Sequence, residues 1–134
     1  MSVTYHDFIA SAEAMNVNPS LEVDRRTAAS RAYYGVYHCA LQTANSVGSD
    51  APLSSFSGSS HEKLRCFYSD ENMRDEFAKR RRAVGYMLKQ AHMVRCLADY
   101  RLSEDFSDVT LEAHLIACKR IIDKISLIAD EVEA

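Results

Sequence analysis

The C-terminal part of the chain repeats apolar residues at alternating spacings of four and three. The repeat comprises Leu111, Leu115, Cys118, Ile122, Ile125, Ala129 and Val132. At about 3.6 residues per turn, this spacing forms one stripe along an α-helix that packs at a shallow angle on its neighbours. Apolar alternation with a period of two, the pattern of a half-buried strand, occurs nowhere in the chain. The sequence therefore predicts an all-α fold.

Capping and helix-breaking residues divide the chain into the four to five helices of an up-and-down bundle. Thr4 and Asp7 resemble a capping box that opens a first helix, and Pro19 ends that helix because it cannot continue the backbone hydrogen bonds. The other elements that we expect are a helix from a Ser20 cap to about Val47, a short helix from Ser60, a long helix from about Asn72 to Leu102, and a last helix capped by Ser107 or Asp108.

The length of 134 residues predicts a single domain, 1–134, with its own core. A composition of 47% hydrophobic and 26% charged residues is that of a globular chain. Gly, Ser and Pro dominate 48–60, which we predict to be a flexible loop. Four cysteines without a CxxC pair fall in helical patterns, and we expect them to be reduced and mostly buried: Cys39, Cys66, Cys96 and Cys118.

Charge and hydropathy limit the partners that we expect. No basic start followed by an apolar stretch opens the chain, and no apolar run approaches the roughly 18 residues of a spanning helix. We therefore predict a cytoplasmic protein without a membrane partner. The net charge of −3 gives no global attraction to nucleic acid. The basic run KRRR at 79–82 spreads around a helical turn as a solvated face, from which two of the arginines could reach an RNA backbone. No His spacing indicates a metal, and we expect no cofactor.

The stretch SRAYYGVYHCALQTA at 30–44 places two chemically capable residues on a largely apolar helix. Arg31 and His38 fall about 20° apart in projection and about 10.5 Å apart along the axis, on one stripe with Thr27, Tyr34 and Gln42. About 60 to 100° from this stripe lies a face of mostly small residues that permits close helix packing, formed by Leu21, Ala28, Ala32, Gly35, Val36 and Cys39. On the other side, Tyr33, Tyr37, Ala40 and Ala44 leave no clean solvent stripe. We expect neighbours or a partner to cover this helix. Its guanidinium then needs an anion, either a protein carboxylate or a bound phosphate.

Two stretches carry a resemblance to a known family. RTAASRAYYGVYHCAL at 26–41 resembles the signature of HEPN domains, small helical domains of prokaryotic defence and toxin systems, in which four to six residues separate an Arg from a His on one helix. The Ser-Arg-Ala-Tyr-Tyr form is similar to the branch often encoded beside minimal nucleotidyltransferases. RCLADYRL at 95–102 resembles the R-x-x-A-D-Y stretch on a later helix of that branch. Together the stretches and the helix order cover most of the chain.

The resemblance implies a metal-independent endoribonuclease of a toxin–antitoxin or defence system. Its site is a composite cleft at a homodimer, where Arg31 and His38 are catalytic. A histidine can move the proton of the RNA 2′-OH or of the leaving 5′-oxygen, and an arginine can stabilise the negative charge that develops on phosphorus. The partners implied are RNA, a second copy of the chain and a cognate nucleotidyltransferase. The residues implied to bind substrate or support the site are Tyr34, Arg95, Asp99 and Tyr100.

Other interpretations of the same residues stay open at this point. Arg31 and His38 fit an internal polar contact, Tyr34 fits a packed tyrosine, and Arg95 with Asp99 fits a solvated i, i+4 pair. Active members of the family often have Asn, His or Asp directly after the Arg, whereas this chain has Ala32. That departure favours an alternative function, a non-catalytic HEPN interaction module that binds a nucleotidyltransferase partner or a nucleotide. We also expect an exposed His61 and core positions for Tyr5 and Phe8.

Overall fold

The computed structural model describes residues 2–16, 21–46, 52–70 and 78–133, with side chains described as far as residue 130. Within these ranges the fold is all-α and contains no strand, which confirms the predicted fold class. None of the helices described is long and apolar enough to span a bilayer. The elements are α1 (Tyr5–Asn16), α2 (Glu22–Ser46), a short 3-10 helix (Leu53–Ser55), α3 (Ser60–Ser69), α4 (Ala78–Tyr100) and α5 (Asp108–Glu133).

Polar side chains cap the helix starts where the sequence predicts them. The Asp7 carboxylate accepts a hydrogen bond from the backbone N–H of Thr4 at 2.7 Å. The hydroxyls of Ser59 and Ser107 each accept one from the backbone N–H three residues later, at 3.2 and 3.1 Å. These contacts satisfy donors that have no partner within the helix. The predicted Ser20 cap, like the residues around the predicted start of α4, lies outside the described residues.

Helix α2 is the centre of the bundle. It packs against α1, α4 and α5, while α3 packs mainly on α4. The predicted small face of α2 is buried, and at Gly35 the approach is so close that an added Cβ would lie 2.9 Å from Ile9 Cδ1 and 3.1 Å from Tyr5 O. Only a glycine lets α1 lie here without a shift. Leu21, which the projection placed on the same face, is exposed instead because it precedes the helix.

The cysteines are free thiols, as predicted, but they differ in burial. Cys39 and Cys118 are buried, and burial raises the pKa of Cys39 to about 11 and that of Cys118 to about 12. Cys96 is partly buried. Cys66 is exposed, so the expectation of burial is wrong for this residue. The two buried thiols contribute to the core as small apolar groups.

Aromatic residues around α3 change one expectation, that the basic run is solvated, and pack against part of the Ser-rich segment. Arg81, from the basic run predicted to be solvated, is 2% exposed, and its Cζ lies 4.5 Å from the centre of the Phe67 ring. The other three residues of 79–82 are exposed as expected. In the Ser-rich segment, Phe56 packs edge-on against Phe67 at 6.4 Å, next to the 3-10 helix. Residues 48–51 of that segment lie outside the described residues, and its flexibility stays a prediction.

A buried arginine that the sequence analysis did not single out holds the C-terminal end of α4. Arg26 is 8% exposed and pairs with Glu22 at 3.2 Å. Glu22 in turn accepts a hydrogen bond from the backbone N–H of Phe106 at 2.6 Å. Arginine donors at a helix C-terminus satisfy carbonyls that have no partner within the helix. The guanidinium of Arg26 donates to the carbonyl oxygens of Leu97, Ala98, Arg101 and Glu104.

Candidate functional site

Arg31 and His38 lie on the solvent-facing side of α2. Thr27 and Gln42, predicted on the same stripe, are exposed with them. The expectation that this helix has no solvent stripe is therefore wrong for the single chain. Water solvates the Arg31 guanidinium, so that burial does not force a counter-anion on it. Among the described residues no carboxylate pairs with Arg31, which leaves its charge available to a ligand.

The side chain of Phe8 on α1 contacts both candidate catalytic residues. Its ring centre lies 5.9 Å from Arg31 Cζ and 5.3 Å from the centre of the His38 ring. Phe8 is half-buried rather than a core anchor, because it sits at the edge of the α1–α2 contact. Two helical turns separate Arg31 from His38, and this one ring bridges the interval. A ligand that lies across Phe8 would therefore meet both the guanidinium and the imidazole.

An open pocket of about 440 Å³ lies beside His38. This volume is within the range of about 300–1,000 Å³ that is typical of small-molecule sites. Aromatic and aliphatic side chains form most of its wall, and amide side chains give it hydrogen-bonding groups. Phe8 and His38 are part of the wall, whereas Arg31 is not. The lining residues are Val3, Thr4, Tyr5, Phe8, His38, Leu41, Gln42 and Asn45.

A polar network between α2 and α4 joins the two stretches on which the HEPN resemblance rests. Arg95 Nη2 donates hydrogen bonds to the hydroxyls of Tyr34 at 2.9 Å and Tyr100 at 3.2 Å. Arg95 Nε lies 2.8 Å from Asp99 Oδ2 in an ion pair. The Ser30 hydroxyl donates to the same carboxylate oxygen at 3.0 Å. The fold thus brings together all four of the predicted supporting residues.

The network reaches the catalytic candidates through Tyr34. The Tyr34 ring lies 6.5 Å from that of His38. Arg95 and Asp99 have side chains only 11% and 26% exposed, so the interpretation as a solvated surface pair is wrong. Their burial favours the role of holding Tyr34 in place. Arg31 is outside this network, and in the described part of the chain its connection to the network runs through Phe8 and His38.

Two histidines that were not predicted from the sequence to contact each other, His61 and His92, lie beside this network. The rings of His61 on α3 and His92 on α4 stack with centres 5.0 Å apart. The His61 Nδ1 and the Tyr33 hydroxyl share a hydrogen bond of 2.7 Å. The expectation of an exposed His61 is wrong, because α3 turns it towards α2 and α4. No local spacing could have revealed a contact between residues so far apart in the chain.

Two further histidine contacts follow from i, i+4 spacings that were overlooked. His92 Nε2 lies 3.7 Å from Cys96 Sγ, and His114 lies at a similar distance from Cys118. His114 is buried and donates from Nε2 to the carbonyl oxygen of Ala29 at 3.0 Å, so its role is structural. In the part of the chain that the structure describes, no group of three His, Cys, Asp or Glu residues could hold a metal ion.

No protein-family model, curated protein or solved structure matches the chain. The HEPN relationship therefore stays a prediction from the two quoted stretches.

Proposed function

We propose that the protein is a metal-independent endoribonuclease whose catalytic residues are Arg31 and His38. The observation that carries the proposal is an exposed guanidinium, with no carboxylate partner among the described residues, and an exposed imidazole, both against the ring of Phe8. A cation and a proton-transfer group on one accessible face are the two elements that phosphodiester cleavage by the 2′-OH requires. The resemblance to HEPN domains supports the same assignment.

His38 acts on the protons and Arg31 on the charge. The imidazole removes the proton of the RNA 2′-OH, whose oxygen attacks the adjacent phosphorus, and the bond to the 5′-oxygen breaks as this oxygen takes a proton from the protonated His38 of a second copy of the chain. The products are a 2′,3′-cyclic phosphate and a 5′-OH. The Arg31 guanidinium binds the phosphate oxygens most strongly when phosphorus is five-coordinate and carries the additional negative charge. Tyr34, fixed by Arg95, orients the His38 ring through their contact.

A homodimer completes the site in this proposal. The catalytic stripe is exposed along α2 in the single chain, so that one wall of any cleft is absent. A two-fold axis across the stripe places a second Arg31 and a second His38 opposite the first pair. One Arg31–His38 pair then acts on the attacking 2′-oxygen, and the pair of the second copy acts on the leaving 5′-oxygen. This arrangement also excludes water from a face that is open in one copy.

The products and the nucleophile provide the sharpest test of this chemistry. A single-stranded RNA is incubated with the wild-type protein in EDTA, beside the same sequence carrying a 2′-O-methyl group at every position. We expect cleavage of the first RNA alone, with 2′,3′-cyclic phosphate termini, because the methyl group removes the nucleophile. Cleavage of the methylated RNA, or loss of activity in EDTA, would contradict the proposed mechanism.

One observation favours a second function, an interaction module without catalysis. Ala32 is fully buried in the α2 core face, so the position directly after Arg31 delivers no polar group to the exposed stripe. Under this alternative the same stripe binds a cognate nucleotidyltransferase or a nucleotide, within a toxin–antitoxin or defence system. The RNA assay separates the functions, because the module would bind without cleaving any RNA.

A further inference from the structure

The histidine pair lies in a cluster of aromatic and basic side chains contributed by three helices. The centre of the His61 ring lies 4.8 Å from that of Tyr37 and 6.1 Å from that of Tyr34, and the tilted ring of Tyr33 lies 5.5 Å from each histidine ring. All these side chains except that of Tyr33 are partly exposed. The cluster is therefore built into the fold and is open to solvent at one side.

The charge around the pair is predominantly positive. Burial, followed by the charges of Arg95 and Arg65, lowers the pKa of His61. Burial, His61 and the same two arginines lower the pKa of His92, and Glu62 opposes them weakly as the last contribution. The other neighbouring groups are neutral tyrosines and the thiol of Cys96, while Asp99 already pairs with Arg95.

Arg65 on α3 supplies a donor without an acceptor. Its Nε is buried, and among the described residues it has no hydrogen-bond partner and its guanidinium forms no ion pair. A buried charged donor left without an acceptor costs free energy, so that proteins normally satisfy it. Arg65 carries such a donor, and its charge acts to lower the pKa of Tyr33, of His61 and of His92. The Arg65 side chain as a whole is partly exposed, so that an anion bound at the cluster can pair with the charge of its guanidinium.

We propose that Tyr33, His61, Arg65 and His92 form a binding site for the phosphate group of a nucleotide, which adjoins the Arg31–His38 face through Tyr37 but includes neither of those two residues. A phosphate accepts several charge-assisted hydrogen bonds at once, which matches a guanidinium and two imidazoles. When His61 is protonated, its Nδ1–H donates to the Tyr33 hydroxyl oxygen and its other N–H donates to the phosphate. The site does not depend on RNA cleavage, because it shares neither Arg31 nor His38.

Histidine NMR signals of the wild-type protein test the site directly. Inorganic phosphate is titrated while the Cε1–H signals are followed, with His61→Gln and His92→Gln used for assignment. We expect both signals to shift and both pKa values to rise, because the bound anion stabilises the imidazolium. The buried His114 should not respond. If neither the His61 nor the His92 signal moves, the proposal is overturned without any variant being required.

Matched arginine variants test the donor. Arg65→Gln should weaken phosphate binding about tenfold, the loss expected for one charge-assisted hydrogen bond. Arg120→Gln removes an exposed charge on α5 and should bind as the wild type does. Arg31→Ala should also keep the phosphate-induced shifts, which distinguishes this site from the proposed RNA site. Equal affinities for Arg65→Gln and the wild type would contradict the assignment.

The source of the phosphate is found by comparing two probes. Uridine 5′-monophosphate carries a single phosphate, and a 2′-deoxy oligonucleotide carries a phosphate backbone that cannot be cleaved by the proposed mechanism. Shifts with the monophosphate identify a free nucleotide as the ligand. Shifts with the oligonucleotide alone identify the backbone of a nucleic acid strand. Uridine without phosphate should give no shift, and an equal response to uridine would overturn the proposal.

Discussion

The Ser30 hydroxyl donates a hydrogen bond to Asp99 Oδ2 at 3.0 Å and thereby joins α2 to the last turn of α4. The same oxygen lies 2.8 Å from Arg95 Nε. One carboxylate thus fixes the guanidinium that donates to the hydroxyl of Tyr34, next to His38. The position of His38, the candidate general base, therefore depends on Tyr34, which Arg95 and Asp99 hold from a distant part of the sequence.

Replacement of Asp99 tests that dependence. Asp99→Asn removes the charge but keeps an oxygen for Ser30, and we expect the free energy of unfolding to fall by about 1–2 kcal/mol, between the values for exposed and buried ion pairs. Glu104→Gln at the exposed Arg101 pair, 3.8 Å apart, is the control and should change it by less than about 0.5 kcal/mol. Urea denaturation measures both values. Equal effects would show that the Asp99 network is an ordinary surface pair.

Two arginines of α2 should differ sharply in their contribution to stability. Arg26→Met leaves the carbonyls at the end of α4 without their donor, and we expect a loss of about 3 kcal/mol in the free energy of unfolding. Arg31→Ala removes an exposed side chain and should cost less than about 0.5 kcal/mol. Thermal or urea denaturation tests this difference. A large loss for Arg31→Ala would favour a structural role over a catalytic one.

Buried histidines should make the protein less stable in mild acid. Burial lowers the pKa of His114 in the fold, although its bond to the Ala29 carbonyl opposes the effect. Between the lowered pKa and the ordinary value of about 6.5, the unfolded chain binds a proton that the folded chain does not, so that stability falls as the pH falls. His61 and His92 act in the same direction.

The variant His114→Gln separates the buried group from the other two histidines. We expect the free energy of unfolding, measured from pH 7 to pH 5 by urea titration, to fall less steeply than in the wild type. Its stability at pH 7 is lower because the hydrogen bond to Ala29 is altered. An unchanged slope would mean that the pKa of His114 is the same in the folded and the unfolded chain, which would contradict the expectation.

Periodicity and capping residues were sufficient to predict the fold from the sequence. The stripe that begins at Leu111 and the caps at Asp7 and Ser107 depend on neighbours within one or two turns, which a sequence displays directly. Burial of single charged residues was not predictable in this way. Arg81 in its basic run has the same local pattern as its exposed neighbours, and its packing against Phe67 is a tertiary contact that this pattern does not display.

The supporting residues of the candidate site could be named from the sequence because the stretches 26–41 and 95–102 both resemble one family. The quoted motifs named Tyr34, Arg95 and Asp99, and the i, i+4 spacing indicated the Arg95–Asp99 pair, but the sequence did not indicate that Arg95 bonds to Tyr34. The exposure of Arg31 and the contact of Phe8 with both catalytic candidates depend on how α1 crosses α2. The His61–His92 stack was missed because α3 and α4 supply one residue each, and neither has a distinctive local neighbourhood.

The rate of RNA cleavage in EDTA by His38→Ala, compared with His6→Ala, tests the central proposal most directly. Both variants remove an exposed histidine, one beside Phe8 and Tyr34 and the other on α1. We expect His38→Ala to cleave about 10²- to 10⁴-fold more slowly than the wild type, the usual contribution of a general acid or base, with its circular dichroism unchanged. His6→Ala should retain the wild-type rate. Equal rates for a folded His38→Ala and the wild type would contradict the assignment of this site as a ribonuclease.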